Sequence, residues 1–167
     1  LQMDSIAMAS LVNAFSTLQN PAPSISKQYL EGFVRNAVGF DWYENERILT
    51  HVNGTDHSGI TLNTDTLANG DTTCAITGCS SAPTAGTVFT FATGNAVHPE
   101  TKQTLGHLQQ FVVVSATTSE ITFSPAIYSS GAKQNISVMP GTTSALTFIG
   151  SASESLEQHL AYHKDAF

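Results

Sequence analysis

Between residues 53 and 150 the chain alternates short β-forming runs with clusters of Gly, Asn, Ser, Thr and Pro, and no other feature of the sequence constrains its fold as much. Residues 59–62, 74–77, 87–92, 111–116, 120–123, 135–138 and 146–149 each match a strand by length, by β-branched and aromatic content, and by flanking turn residues. Asn69-Gly70-Asp71 and Pro140-Gly141 are turn signals, and Ala116-Thr117-Thr118-Ser119 suits a tight hairpin. Seven short strands predict a small barrel or sandwich.

Composition agrees with that reading. Charged residues make up 11% of the 167 residues, well below the typical quarter of a soluble domain, and neutral polar residues take their place. Hydrophobic residues, at 41%, are enough for at least one buried core. The net charge is -7, and Lys27, Arg35, Arg47, Lys102, Lys133 and Lys164 are scattered, so no basic stripe exists to displace counterions from phosphates. Direct, sequence-specific nucleic-acid binding is not expected. No apolar stretch approaches the roughly 20 residues of a membrane span, and the opening residues lack a signal-peptide layout.

Ahead of residue 53 the periodicity is helical. Met8, Leu11, Val12, Phe15 and Leu18 share one helical face after Asp4 as N-cap, with Asn20-Pro21 as the stop. A second helix is expected where Leu30, Phe33, Val34, Ala37 and Val38 line up before Gly39. Residues 47–52 read as a short strand. The last segment, 151–167, is ambiguous: Ser151 and Glu154 match a capping box, whereas Leu160 and Tyr162 alternate as in a strand. The chain opens on Leu1 and stops at Phe167 inside a patterned segment, so a piece of a longer protein is expected.

Candidate chemistry is sparse. His159 and His163 would share a helix face, but no third or fourth zinc ligand stands at a suitable spacing. Asp41, Glu44 and Glu46 beside Trp42 and Tyr43 carry the residue types of a glycosidase site, yet a polar turn anchored by a buried Trp explains them better. Asp56-His57-Ser58 are adjacent and cannot orient one another as a triad, so they read as a polar loop. Asn53-Gly54-Thr55 and Asn135-Ile136-Ser137 match a glycosylation pattern that matters only in an exported protein. Cys74 and Cys79 are expected to be unbridged thiols. No catalytic, metal or cofactor residue is assigned, and the chain is expected not to be an enzyme.

Four stretches carry a further signal, read together and in order. The first is Gly39-Phe40-Asp41-Trp42-Tyr43-Glu44-Asn45-Glu46, followed by Thr50-His51-Val52-Asn53-Gly54. The longest, residues 98–113, runs from His98-Pro99-Glu100 through Leu105-Gly106-His107 to Phe111-Val112-Val113. The third is Ser124-Pro125-Ala126-Ile127 with Ser130-Gly131-Ala132-Lys133-Gln134-Asn135-Ile136-Ser137, and the fourth is His159-Leu160-Ala161-Tyr162-His163-Lys164-Asp165-Ala166-Phe167. Together these stretches resemble the coat proteins of P22-like tailed bacteriophages, and the resemblance implies an α+β subunit, an HK97-like shell core carrying an inserted β-barrel of about six to seven strands. Residues 1–52 would be core (two helices and a strand), 53–150 the insertion, and 151–167 a strand returning to the core, which favours a strand at Leu160 to Tyr162. It also implies a structural role in the icosahedral shell, with other coat subunits, scaffolding protein and portal protein as partners. The place implied is the virion capsid, assembled in the bacterial host cytoplasm, and the insertion would aid folding and stability. The region matching the family's protruding acidic loop, residues 63–73, is short and only mildly acidic. A carbohydrate-binding or adhesin-like β module is the alternative; it would display a platform of exposed aromatics, whereas the barrel segment's sole Tyr is Tyr128 and the only Trp, Trp42, precedes it.

Overall fold

The computed structural model of the chain describes residues 1–16, 36–37, 39–63, 67–163 and 165. They divide into two compact units, one of Leu1–Thr50 with Glu157–Phe167 and the other of His51–Leu156.

The first unit holds β1 (Gln2–Met3), α1 (Ser5–Ser16), β2 (Asn36–Ala37), β3 (Phe40–Asp41) and β4 (Tyr43–Glu44). Asp4 caps α1 as expected, its carboxylate accepting from the Ile6 and Ala7 N–H groups at 3.3 and 3.0 Å. The helix turns Met8 inward, where it is buried with Met3 and Trp42; Leu11, Val12 and Phe15 pack against them. β1 runs parallel to β4, and β2 pairs antiparallel with β3. The second expected helix lies outside the described residues apart from Ala37, which falls in a two-residue strand.

The chain passes between the units along β5 (Thr50–Val52) and returns along β12 (Ser155–Glu157); these two strands pair. Between them lie β6 (Thr61–Leu62), β7 (Thr73–Thr77), β8 (Val88–Val97), β9 (Thr104–Ala116), β10 (Glu120–Ser124) and β11 (Leu146–Phe148). These form one six-stranded sheet in the order β11-β8-β9-β10-β7-β6, every neighbour antiparallel. Its two ends meet: Leu62 N–H donates to Ser144 C=O and Leu146 N–H to Ile60 C=O, both at 2.9 Å, and Thr61 bridges Ala145. The sheet therefore curls into a nearly closed barrel, its end strands joined at that seam by these two bonds.

Strand periodicity fills the barrel. Every second residue points inward, so Cys74 and Ile76, Phe89 and Phe91, Phe111 and Val113, Ile121 and Phe123, and Leu146 and Phe148 make one core with Ile60, Leu62, Ile127 and Ile136. Phe89 lies at the centre, its ring centroid 5.4 to 6.0 Å from those of Phe91, Phe111, Phe123 and Phe148.

Two expectations need correction. Residues 135–138 do not form a strand; Ile136 makes a single bridge to Ala96, because the Asn135 and Ile136 N–H groups both turn back to the Tyr128 carbonyl. In contrast, β8 and β9 reach well beyond 87–92 and 111–116. Their register slips between Thr90 and Asn95 and again before Val97, and these irregularities absorb Gly94 and Asn95 inside a continuous strand. The capping-box pair also acts differently: Glu154 accepts from Ser151 N–H in a turn, and no helix follows.

Candidate functional site

The residues singled out in the sequence are placed apart and mostly committed to structure. Trp42 is buried, while Phe40, Asp41, Tyr43 and Glu44 stand exposed on β3 and β4. Asp41, Tyr43 and His163 line one open cleft of about 760 Å³ together with Leu1, Phe40 and Tyr162; Glu44 and Glu46 do not line it. His159 lies 3.7 Å from Glu157, and His163 lies 3.5 Å from Asp165, so each imidazole faces its own carboxylate.

Within the barrel unit, Asp56 turns to Ser80, accepting from its N–H at 2.5 Å and its O–H at 2.8 Å. Those bonds hold the Asp56 carboxyl below the usual carboxylate range. His57 points elsewhere and stacks on Phe148, and the three neighbours form no relay. Both sequon asparagines are anchored inside. Asn53 donates its amide hydrogens to the Ile149 and Ser151 carbonyls at 3.1 Å, and Asn135 donates to Ala126 while accepting from Tyr128 N–H. Cys74 and Cys79 are not bridged; burial and the nearby Asp56 charge push the Cys79 thiol up.

One constellation was not visible in the sequence. Asp4, Glu157 and His159 converge, their ligand atoms all within 4.8 Å of one another. The Ala7 N–H holds Asp4 below its ordinary range, and partial burial followed by the Asp4 charge raises Glu157. Asp4 was legible only as a cap, because more than 150 positions separate it from its partners.

The remaining candidate is a surface. The barrel's outward positions are chiefly Thr, Ser, Gln and Val, with Val112 and Val114 exposed on β9 and Ile149 exposed beside β11. Its five described phenylalanines, Phe89, Phe91, Phe111, Phe123 and Phe148, all face inward, and Tyr128 is half-buried with the Lys133 ammonium 5.9 Å above its ring. Lys102 is spent on the Ala132 carbonyl at 2.7 Å. Such a surface is rich in uncharged polar groups and able to make many uncharged contacts.

Among solved structures, the chain is similar to the CUS-3 coat protein I-domain, with 25% sequence identity and a TM-score of 0.44 over 57% of this chain and 98% of that one. No family model and no curated protein matches the chain.

Proposed function

We propose that this chain is part of a structural coat-protein subunit of a P22-like tailed bacteriophage and has no catalytic activity of its own. In this reading residues 53–150 are a β domain inserted into an HK97-like shell core, to which 1–52 and 151–167 belong. The observation that carries it is where the coat-like stretches fall. Residues 98–113 run from the tip of the β8–β9 hairpin into β9 and contribute Phe111 and Val113, while the stretch from Ser124 to Ser137 contributes Ile127 and Ile136. All four side chains are buried to within 1% of full burial, so the resemblance lies in the residues that build the barrel.

The physical case for a shell role rests on the surface. Subunit contacts need large complementary areas with a polar rim and hydrogen bonds spaced over the interface, which neutral outward strands can offer. The insertion's proposed task is to aid folding and to stabilise the subunit, since its own core and the meeting ends of its sheet give it cohesion that does not draw on the shell core. Other coat subunits, a scaffolding protein and a portal protein are the proposed partners, in the virion capsid. Electron microscopy of the complete subunit expressed with its scaffolding partner tests the assignment: closed shells are expected, and soluble subunits that never assemble would refute it. The folding role has its own test, deletion of residues 53–150, which is expected to reduce the yield of folded subunit.

A further inference from the structure

The loop between β5 and β6 contains a half-buried ionisable ring that a shell role does not call upon. His57 lies face to face with Phe148, ring centroids 5.1 Å apart at 30°, and Phe148 belongs to the barrel core. Both ring nitrogens, Nδ1 and Nε2, are shut off from solvent and have no hydrogen-bond partner. A neutral imidazole in that position leaves one N–H and one lone pair unpaired. The doubly protonated ring would leave two N–H groups and a positive charge there, a far larger desolvation penalty.

Polar bonds seat the loop on both sides. Asp56 is tied to Ser80. Asn53 N–H donates to Glu154 C=O, and Ser153 N–H donates to Gly54 C=O, both at 2.9 Å. The loop thus clasps the strands on which the chain enters and leaves the barrel unit, with the His57 ring as its apolar foot.

We propose that His57 is a proton-sensitive latch: the neutral ring stays on Phe148 and keeps the loop of residues 53–59 closed, and the protonated ring leaves Phe148 and opens it. The other titratable groups on this loop and the segments packed against it are Asp56, Cys79, Glu154 and His51, which lies on β5 just ahead of the loop with its Nε2 3.1 Å from Thr87 Oγ1. Asp56 stays ionised through mild acid because its Ser80 bonds hold it low, and Cys79 stays neutral because burial pushes it up. Glu154 is committed to Ser151 N–H. Among the described residues no ion pair reaches the His57 ring. This latch is independent of what the chain assembles into.

Amide exchange on the whole chain at pH 7.5 and pH 5.0, corrected for intrinsic exchange chemistry, tests it. Protection at Asn53, Ser80 and Ser153 is expected to fall at the lower pH by about tenfold or more, a difference that local opening readily spans. His57→Phe keeps the aromatic stack without a titratable nitrogen, and its protection is expected to be equal at both values. Unchanged protection in the parent chain, or the same acid loss in His57→Phe, overturns the proposal. A second measurement needs no variant: NMR contacts between the His57 and Phe148 rings are expected at pH 7.5 and lost once the imidazole charges. Their persistence on the charged ring also overturns it.

Discussion

Phe89 makes ring contact with four other phenylalanines, and no other position ties so many strands of the barrel together. Phe89→Ala is expected to cost about 3–5 kcal/mol by urea unfolding, since the rigid strands around it cannot close the void. Gly94 and Gly106 form a contrasting pair, both with positive φ. A Cβ at Gly94 would meet the Ile136 side chain at 2.3 Å and the Val138 carbonyl at 2.8 Å, whereas at Gly106 nothing lies within 4 Å. Gly106→Ala should therefore cost only the left-handed backbone penalty of roughly 1–2 kcal/mol, and Gly94→Ala distinctly more, both read from the urea midpoint. The two perturbed carboxylates give opposite pH signatures. Asp56 is held low, so its contribution is present above the titration of an unfolded Asp, about pH 3.9, and is lost as pH falls through its lower folded value. The stability gap between the parent chain and Asp56→Asn is thus expected to close as pH falls through that lowered value in strong acid. Glu157 is raised, so the benefit of its protonated form is present below about pH 4.3 and is lost as pH rises through its folded value. Glu157→Gln should melt higher than the parent near neutrality, read by Trp42 fluorescence, with the advantage vanishing in acid.

The barrel seam gives a prediction about elements. If Leu62 and Leu146 close the sheet as their hydrogen bonds indicate, their amides should exchange as slowly as those at the centre of β8 and β9; a frayed seam would exchange them orders of magnitude faster. The elements were unevenly legible in the sequence. Cys74–Ile76, Phe89–Phe91, Phe111–Val113 and Ile121–Phe123 announce themselves because a strand half-buried in a barrel alternates with period two, and the residues between are Ala, Thr and Val. The α1 cap was readable for an equally local reason, a carboxylate two and three residues before the N–H groups it binds. The full reach of β8 and β9 was hidden, since Gly94-Asn95 and Gly106-His107 look like breaks. Only the structure shows that Gly94 makes room for Ile136, some forty residues on. The 135–138 run failed the other way: its pattern suits a strand, yet the Asn135 and Ile136 N–H groups are taken locally by the Tyr128 carbonyl and only Ser137 N–H reaches across, to Asn95 C=O. Sites assembled from distant segments, such as Asp4 with Glu157 and His159, left no pattern to read, and nothing in Asp56-His57-Ser58 signals that the middle ring is half-buried.

For the molecule as a whole, the His51–Leu156 unit has its own core and a sheet whose ends meet, so its cohesion is internal. A chain of residues 51–156 alone is expected to unfold in one cooperative urea transition, with loss of near-ultraviolet dichroism and of secondary structure at the same midpoint. Non-coincident transitions would show that the unit depends on the remainder of the chain. Asn53 and Glu154, joined by a backbone hydrogen bond, bring the two termini of this unit side by side. Adjacent paired strands are separated by about 5 Å, so entry and exit of this unit stand no more than about one rung apart. If the proposed insertion holds, a module tethered in this way is a cassette, removable without lengthening the backbone path that it interrupts.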